Sequence, residues 1–261
     1  MMKKMIFISL VLLSGLQLSA QMGWNGVVAH RGGIYNDPAI PENSIAALKK
    51  SIELGCYAAE IDVHLTKDLV PVVFHDHEYN GMHVEKVTYN DLKGIRLSNG
   101  EPIPTLDQYL KVVMNDPKIR LWIDLKRSQL EPERNVLLAQ YVAQVIQQNF
   151  AEKRAEIIAP MFDAMIRIKQ IAPQVKLYYI GVDKTPGTLR NLGFDGVNLS
   201  YKRFDKEYSI TETIAAGLYV GAYVIDDPVE MEKQIKNGVH FITTNKPEVL
   251  IQVIEKLKKK L

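Results

Sequence analysis

A single cysteine, Cys56, in 261 residues excludes an internal disulfide framework. Between Leu54 and Tyr57 this thiol reads as a small buried side chain, not a nucleophile. Excess charge of one sign is also missing. The formal balance is +2, and Lys3 and Lys4 equal all of it, so the chain without them is close to neutral. That argues against general nucleic-acid binding, and the basic run Lys256 to Lys260 reads as a solvated helix end, where cations suit the macrodipole. No repeat, low-complexity tract or Pro/Gly/Ser-rich linker breaks the chain, so one large domain is expected.

Long apolar runs are scarce, and the one that opens the chain, Met5 to Leu13, is too short for a confident membrane span. Lys3 and Lys4 precede it, and Ser14, Gly15, Ser19 and Ala20 follow. This is the pattern of a secretory signal peptide over residues 1–20, cut before Gln21, with no cysteine placed for lipid attachment. The mature domain, 21–261, is then expected to be secreted or periplasmic, with no stable transmembrane segment.

What is present is an alternation of β-branched apolar runs with amphipathic stretches. Parallel strands are predicted over 26–30, 58–63, 120–125, 156–160, 175–180, 196–199, 219–225 and 239–243, and helices over 44–54, 106–114, 131–150, 164–171, 187–192, 211–216 and 229–237. Thr105 with Gln108 and Asp227-Pro228 with Glu230 resemble capping boxes, and Asn43 or Ser44 can cap the first helix. Gly193, Gly217 and Gly238 stand where helices should stop.

The run 70–74 is strand-like too, but about four residues separate it from the preceding strand and a parallel crossover needs a dozen or more. It must fold back antiparallel around Lys67-Asp68, returning His75 to the level of Asp62. Eight parallel strands remain, which predicts a (β/α)8 barrel, a TIM barrel, with a β-hairpin extension after its second strand. An open doubly wound sheet is the competing architecture. The irregular stretch 76–104 is expected at the pocket rim.

Ionisable side chains gather where these strands end. Glu60 and Asp62 share a face of their strand, and two carboxylates so placed repel unless a cation lies between them. Asp124, ending the next parallel strand, can complete an all-oxygen site for Mg2+ or Ca2+. Lys126 and Arg31 suit phosphate oxygens, and His30 and His75, approaching one mouth, suit acid and base roles. Phe162, Tyr201 and Tyr223 are candidates for an apolar pocket wall. His64, His77 and His83 fall outside these roles, and a second histidine-containing metal position stays open.

In order, His30-Arg31-Gly32, Pro41-Glu42-Asn43-Ser44, Glu60-Ile61-Asp62-Val63, Pro71 to Asp76, Pro104-Thr105-Leu106 and Asp124-Leu125-Lys126 resemble the signature of the glycerophosphodiester phosphodiesterase family of PLC-like phosphodiesterases. The resemblance implies a TIM barrel that uses a divalent metal to cleave small-molecule glycerophosphodiesters into an alcohol and glycerol phosphate. It implies His30 and His75 as the acid/base pair, Arg31 and Lys126 on phosphate, Glu60 and Asp62 on the metal, and Glu42 in support. Four features depart from it: Asp124 stands where glutamate is usual, Tyr223 where tryptophan is common, and Asn245 where aspartate is common, while His77 to Val87 replaces an arginine- and threonine-rich stretch. Phospholipase D-like action on lysophospholipids or sphingolipids, or phosphate-ligand binding without turnover, are the competing functions. The sequence does not settle an oligomeric partner.

Overall fold

The computed structural model describes residues 26–33 and 37–259; the expected leader lies outside them. Its strands are β1 (Val27–Ala29), β2 (Ala58–Leu65), β3 (Pro71–Val73), β4 (Glu78–Tyr79), β5 (Met82–His83), β6 (Arg120–Leu125), β7 (Ala155–Ala159), β8 (Lys176–Tyr179), β9 (Gly196–Ser200), β10 (Tyr219–Tyr223) and β11 (Phe241–Thr244). Each of β1, β2 and β6 to β11 pairs in parallel with its neighbours, and β1 joins both β2 and β11, so these eight close a barrel. The open sheet is excluded by that closure.

Period-two alternation sorts the side chains of every strand. Outward-facing Ala59, Ile61, Val63, Leu121, Ile123, Ile157 and Leu177 join the helices in the main core, while Val28, Ala58, Trp122, Ile158, Tyr178 and Phe241 form a separate core inside the barrel. Trp122 lies 4.8 Å from Tyr178 and 5.2 Å from Phe241, ring to ring, and plugs the barrel below the strand ends. Its indole nitrogen donates to the buried Glu156, which also accepts from Tyr57 and Arg120. Ala58, Glu60 and Asp62 share the inner face, and the register sets Glu60 beside Trp122 and Asp62 beside Asp124.

The returning arm forms as expected. β2 outruns the barrel and pairs antiparallel with β3, Val63 opposite Val73 and Leu65 opposite Pro71, through a turn with Leu69 at φ 66°. The Phe74 amide donates to the Asp62 carbonyl at 3.0 Å, so His75 does return to that level. Beyond it, Asn80 and Gly81, both at positive φ, close the small β4–β5 hairpin. The rest of 76–104 builds its own apolar cluster from Val84, Leu92 and Ile103 against Val72 of β3.

Ser44 caps the helix Ile45–Glu53, and Thr105 and Gln108 make the reciprocal box on Leu106–Asn115. Gly193, Gly217 and Gly238 take positive φ just past their helices. Two α-helices go beyond the predicted set: the single turn Tyr89–Leu92, boxed by Thr88 and Asp91, and Pro247–Lys258, which starts on proline and buries Leu250. No helix among the described residues is long and apolar enough to cross a membrane.

Candidate active site

After β1 the chain tightens into the turn His30–Gly32, with Arg31 in the left-handed region at φ 54°, ψ 34°. Such a conformation costs a non-glycine residue about 1–2 kcal/mol, and hydrogen bonds bracket it here. The Arg31 amide donates to Glu60 Oε2 at 2.8 Å and its carbonyl accepts from the Asn43 amide at 2.8 Å. Gly32 follows at φ 78°, where a Cβ would sit 2.9 Å from the Cβ of Ala47, so helix Ile45–Glu53 can approach only a glycine. The turn therefore delivers His30 and Arg31 to the barrel mouth in a held geometry.

Three carboxylates meet there. Oxygen atoms of Glu60, Asp62 and Asp124 all lie within 4.8 Å of one another. Lys126 Nζ is 2.5 Å from Asp62 Oδ1 and 2.7 Å from Asp124 Oδ2. Arg31 places Nη1 2.9 and 3.0 Å from the two oxygens of Glu42 and its Nε 3.6 Å from Asp62. That Nε is buried with no hydrogen-bond acceptor.

Ionisation follows from this crowding. Burial, then the charges of Asp62 and Asp124, hold the Glu60 carboxyl well above its ordinary range. Burial raises Asp124 to about 6 against the pull of Lys126. Asp62 is buried as deeply, yet Lys126 and the Asn43 amide overcome that cost and keep it below its ordinary value. Lys126 itself is lifted because the two aspartates outweigh its own desolvation.

Two asparagines absent from the predicted chemistry prove central. Asn43, at φ 56° and buried, donates to Asp62 Oδ2 at 2.8 Å and accepts from the Asp62 amide at 3.1 Å. Ser44 alone caps the helix, which leaves Asn43 free to clamp the carboxylate. Asn245 Oδ1 lies 2.6 Å from His30 Nδ1, while its Nδ2 donates to Asp226 Oδ2 at 2.8 Å. Asp226 also accepts from the Asn245 amide and the Thr244 hydroxyl. With the amide nitrogen committed to Asp226, the Asn245 oxygen must face His30, so Nδ1 carries the proton and Nε2 is a free base. Burial, ahead of the opposing Asn245 bond, holds the His30 pKa below its ordinary value, which favours the neutral imidazole.

His75 arrives from the other side, its Nδ1 2.7 Å from Asp76 Oδ1. A cavity of about 430 Å3 is lined by His30, Arg31, Glu60, Asp62, Asp124 and Lys126, with Leu125, Ile158, Pro160, Ile180 and Tyr223 as its apolar wall. Asn198 Oδ1 and Thr243 Oγ1, buried and without partners, lie among the lining residues. Of the three aromatics expected at a pocket wall, Tyr223 lines the cavity. Phe162 and Tyr201 do not: Phe162 opens helix Phe162–Ile171 and stacks on Phe194 at 5.6 Å, and Tyr201 packs on the outer core. Both follow the ends of their strands, where the chain has already turned outward. The 76–104 stretch, expected at the pocket rim, contributes none of the lining residues either, and neither does the adjoining His75.

A profile of the Glycerophosphoryl diester phosphodiesterase family matches residues 30–249, from the first of these histidines to the last helix. The chain belongs to that family. It is 32% identical over 252 residues to a glycerophosphodiester phosphodiesterase of Caldanaerobacter subterraneus subsp. tengcongensis, covering 88% of this chain and 98% of that one. A crystal structure of a glycerophosphodiester phosphodiesterase from Parabacteroides distasonis superposes with a TM-score of 0.82 at 36% identity, over 90% of this chain and 97% of that chain. A glycerophosphodiester phosphodiesterase of Bacillus altitudinis is 26% identical over 89% of this chain and 99% of its own length. Within this family frame, the carboxylate trio and His30 of the present chain line one cavity, and His75, outside that lining, stands near enough to act electrostatically on Asp62 and Asp124.

Proposed function

We propose that this chain is a phosphoric diester hydrolase that cleaves glycerophosphodiesters to an alcohol and glycerol phosphate, with Mg2+ or Ca2+ held by Glu60, Asp62 and Asp124. Charge balance carries the metal reading. Fully ionised, Glu42, Glu60, Asp62 and Asp124 would bring four negative charges, Arg31 and Lys126 return two, and the shortfall that keeps Glu60 and Asp124 hard to ionise is that of one divalent cation. The donors are all oxygen, which suits a hard ion. When bound, such an ion supplies positive charge to a phosphate oxygen.

The remaining work falls to side chains. Arg31 and Lys126 face the phosphate, and Glu42 braces Arg31. His30 Nε2 accepts the proton of the attacking oxygen as that oxygen bonds to phosphorus. His75, oriented by Asp76, gives a proton to the departing alcohol oxygen as its bond to phosphorus breaks. The signal-peptide pattern of residues 1–20 supports action outside the cytosol, and a mature N-terminus at Gln21 is the outcome expected from exported protein.

Hydrolysis of glycerophosphocholine and glycerophosphoethanolamine, assayed with Mg2+, Ca2+, Mn2+ and Zn2+, tests the reading. His30→Ala should lose roughly 10²–10⁴-fold in kcat with little change in KM, and Asp62→Ala should abolish turnover. Equal turnover in all three proteins would overturn the site. Headgroup release from a lysophospholipid but from neither diester would move the assignment to the lipid.

A further inference from the structure

The β4–β5 hairpin sets a second group of ligand-type side chains beside the site. His77 precedes β4 and His83 ends β5, and the Val84 amide donates to the His77 carbonyl at 2.9 Å, so the hairpin itself brings the two imidazoles together. Glu85 follows two residues later, and a nitrogen of each histidine and an oxygen of Glu85 lie within 4.8 Å of one another. We propose that His77, His83 and Glu85 bind a second divalent cation of the borderline class exemplified by zinc, which braces the chain segment carrying His75.

Two imidazoles and one carboxylate are a donor set that zinc favours over magnesium, with a fourth position for water. His77 Nδ1 is buried and has no partner, a cost that a ligand bond would remove. His83 accepts from the Glu85 amide at Nδ1 over a long 3.3 Å, and its Nε2 lies 3.4 Å from Gln129 Oε1. In the tautomer with Nε2 protonated, the Nδ1 lone pair would exchange that long bond for one to the ion, and Gln129 serves as the outer acceptor that ligating histidines usually have. Glu85 is already aimed by Ser128 at 2.6 Å, the Gln129 amide at 3.0 Å and Arg134 at 3.1 Å. These bonds leave lone-pair capacity on Oε2, which accepts only the Gln129 amide.

The position gives the site a role. His64 packs edge-on against His77, ring centroids 4.7 Å apart, and its Nε2 lies 3.1 Å from the His75 carbonyl. Ser128, Gln129 and Arg134 belong to the segment that follows Lys126. An ion on this triad would therefore tie the segment after β2 to the segment after β6, and so hold His75 and Lys126 relative to each other.

Co2+, a spectroscopic stand-in for zinc, tests this on the full protein in excess Mg2+. Visible d–d bands of a low-coordinate nitrogen–oxygen site are expected, lost in His77→Ala and His83→Ala and retained in Asp62→Asn. Gln129→Leu should weaken Co2+ binding roughly 10–100-fold. Absent bands, bands that survive both histidine changes, or bands that disappear in Asp62→Asn would overturn the assignment. Should either alanine variant fail to fold, nitrogen-resolved NMR of the wild-type imidazoles decides without mutation: Zn2+ must shift His77 and His83 but leave His240 in place. Slower amide exchange over 76–88 on adding Zn2+ is the expected sign of the brace, and unchanged exchange would overturn that role.

Discussion

Replacing Asp124 with asparagine should stabilise the metal-free protein at neutral pH. The Asp124 carboxyl rises from an ordinary 3.8 to about 6 because burial, and then Asp62, penalise its charge more than Lys126 repays. A carboxyl that is harder to ionise in the fold than in the unfolded chain costs stability as it deprotonates. The loss begins as the pH climbs past 3.8 and is complete above about 6. At about 1.4 kcal/mol per pH unit the full term is roughly 3 kcal/mol, with about half of it falling between roughly pH 5 and pH 8. The carboxamide would keep the shape and still accept from Lys126 Nζ, so the substitution isolates the charge. His64 and His240, whose burial lowers both to about 4, make the stability of either protein fall on acidification. That contribution is common to both proteins and cancels in their difference. Urea unfolding in chelator should then show the gap, Asp124→Asn minus wild type, widening by about 1.4 kcal/mol from pH 5 to pH 8. Mg2+ at about 100 times its Kd should raise the wild type by roughly 2.7 kcal/mol and the variant by much less. A gap that is flat with pH, or a variant less stable than wild type at every pH, would refute the view that Asp124 carries charge reserved for a cation.

Other substitutions probe neighbouring parts of the same network. Asn245→Asp puts a full negative charge on the partner of His30 Nδ1, so the acid limb of the kcat/KM profile should move to higher pH; an unmoved limb would remove His30 as the base. Asn43→Gly keeps the positive φ and deletes the clamp on Asp62, which should cost roughly 1–3 kcal/mol and weaken Mg2+ binding measured by calorimetry. Gly221→Ala would drive a Cβ to 2.6 Å from Asn198 Oδ1 at the cavity floor; a loss of about 1–3 kcal/mol in urea unfolding is expected, and full stability would contradict the packing.

Much of this site is legible along the chain because its motifs are local. Glu60 and Asp62 share a face by strand periodicity alone, and the short gap before Val70 forces the antiparallel return that aims His75. The pocket aromatics were less legible. Tyr223 lies within β10 and lines the cavity, whereas Phe162 and Tyr201 stand just beyond their strands, where one residue of turn decides between mouth and outer core. The helix Pro247–Lys258 showed only its basic end, since its apolar face has meaning only against the closed barrel.

The sequence by itself determined the barrel, its returning arm and the chemical inventory of the mouth, because period, caps and turn lengths act over a few residues. Tertiary structure alone decided which groups tune that inventory. Asn245, held by Asp226, reaches His30 across 215 residues of chain only because β1 closes on β11, and the excess negative charge at the mouth exists only once four carboxylates from three separate stretches of chain share one low-dielectric space.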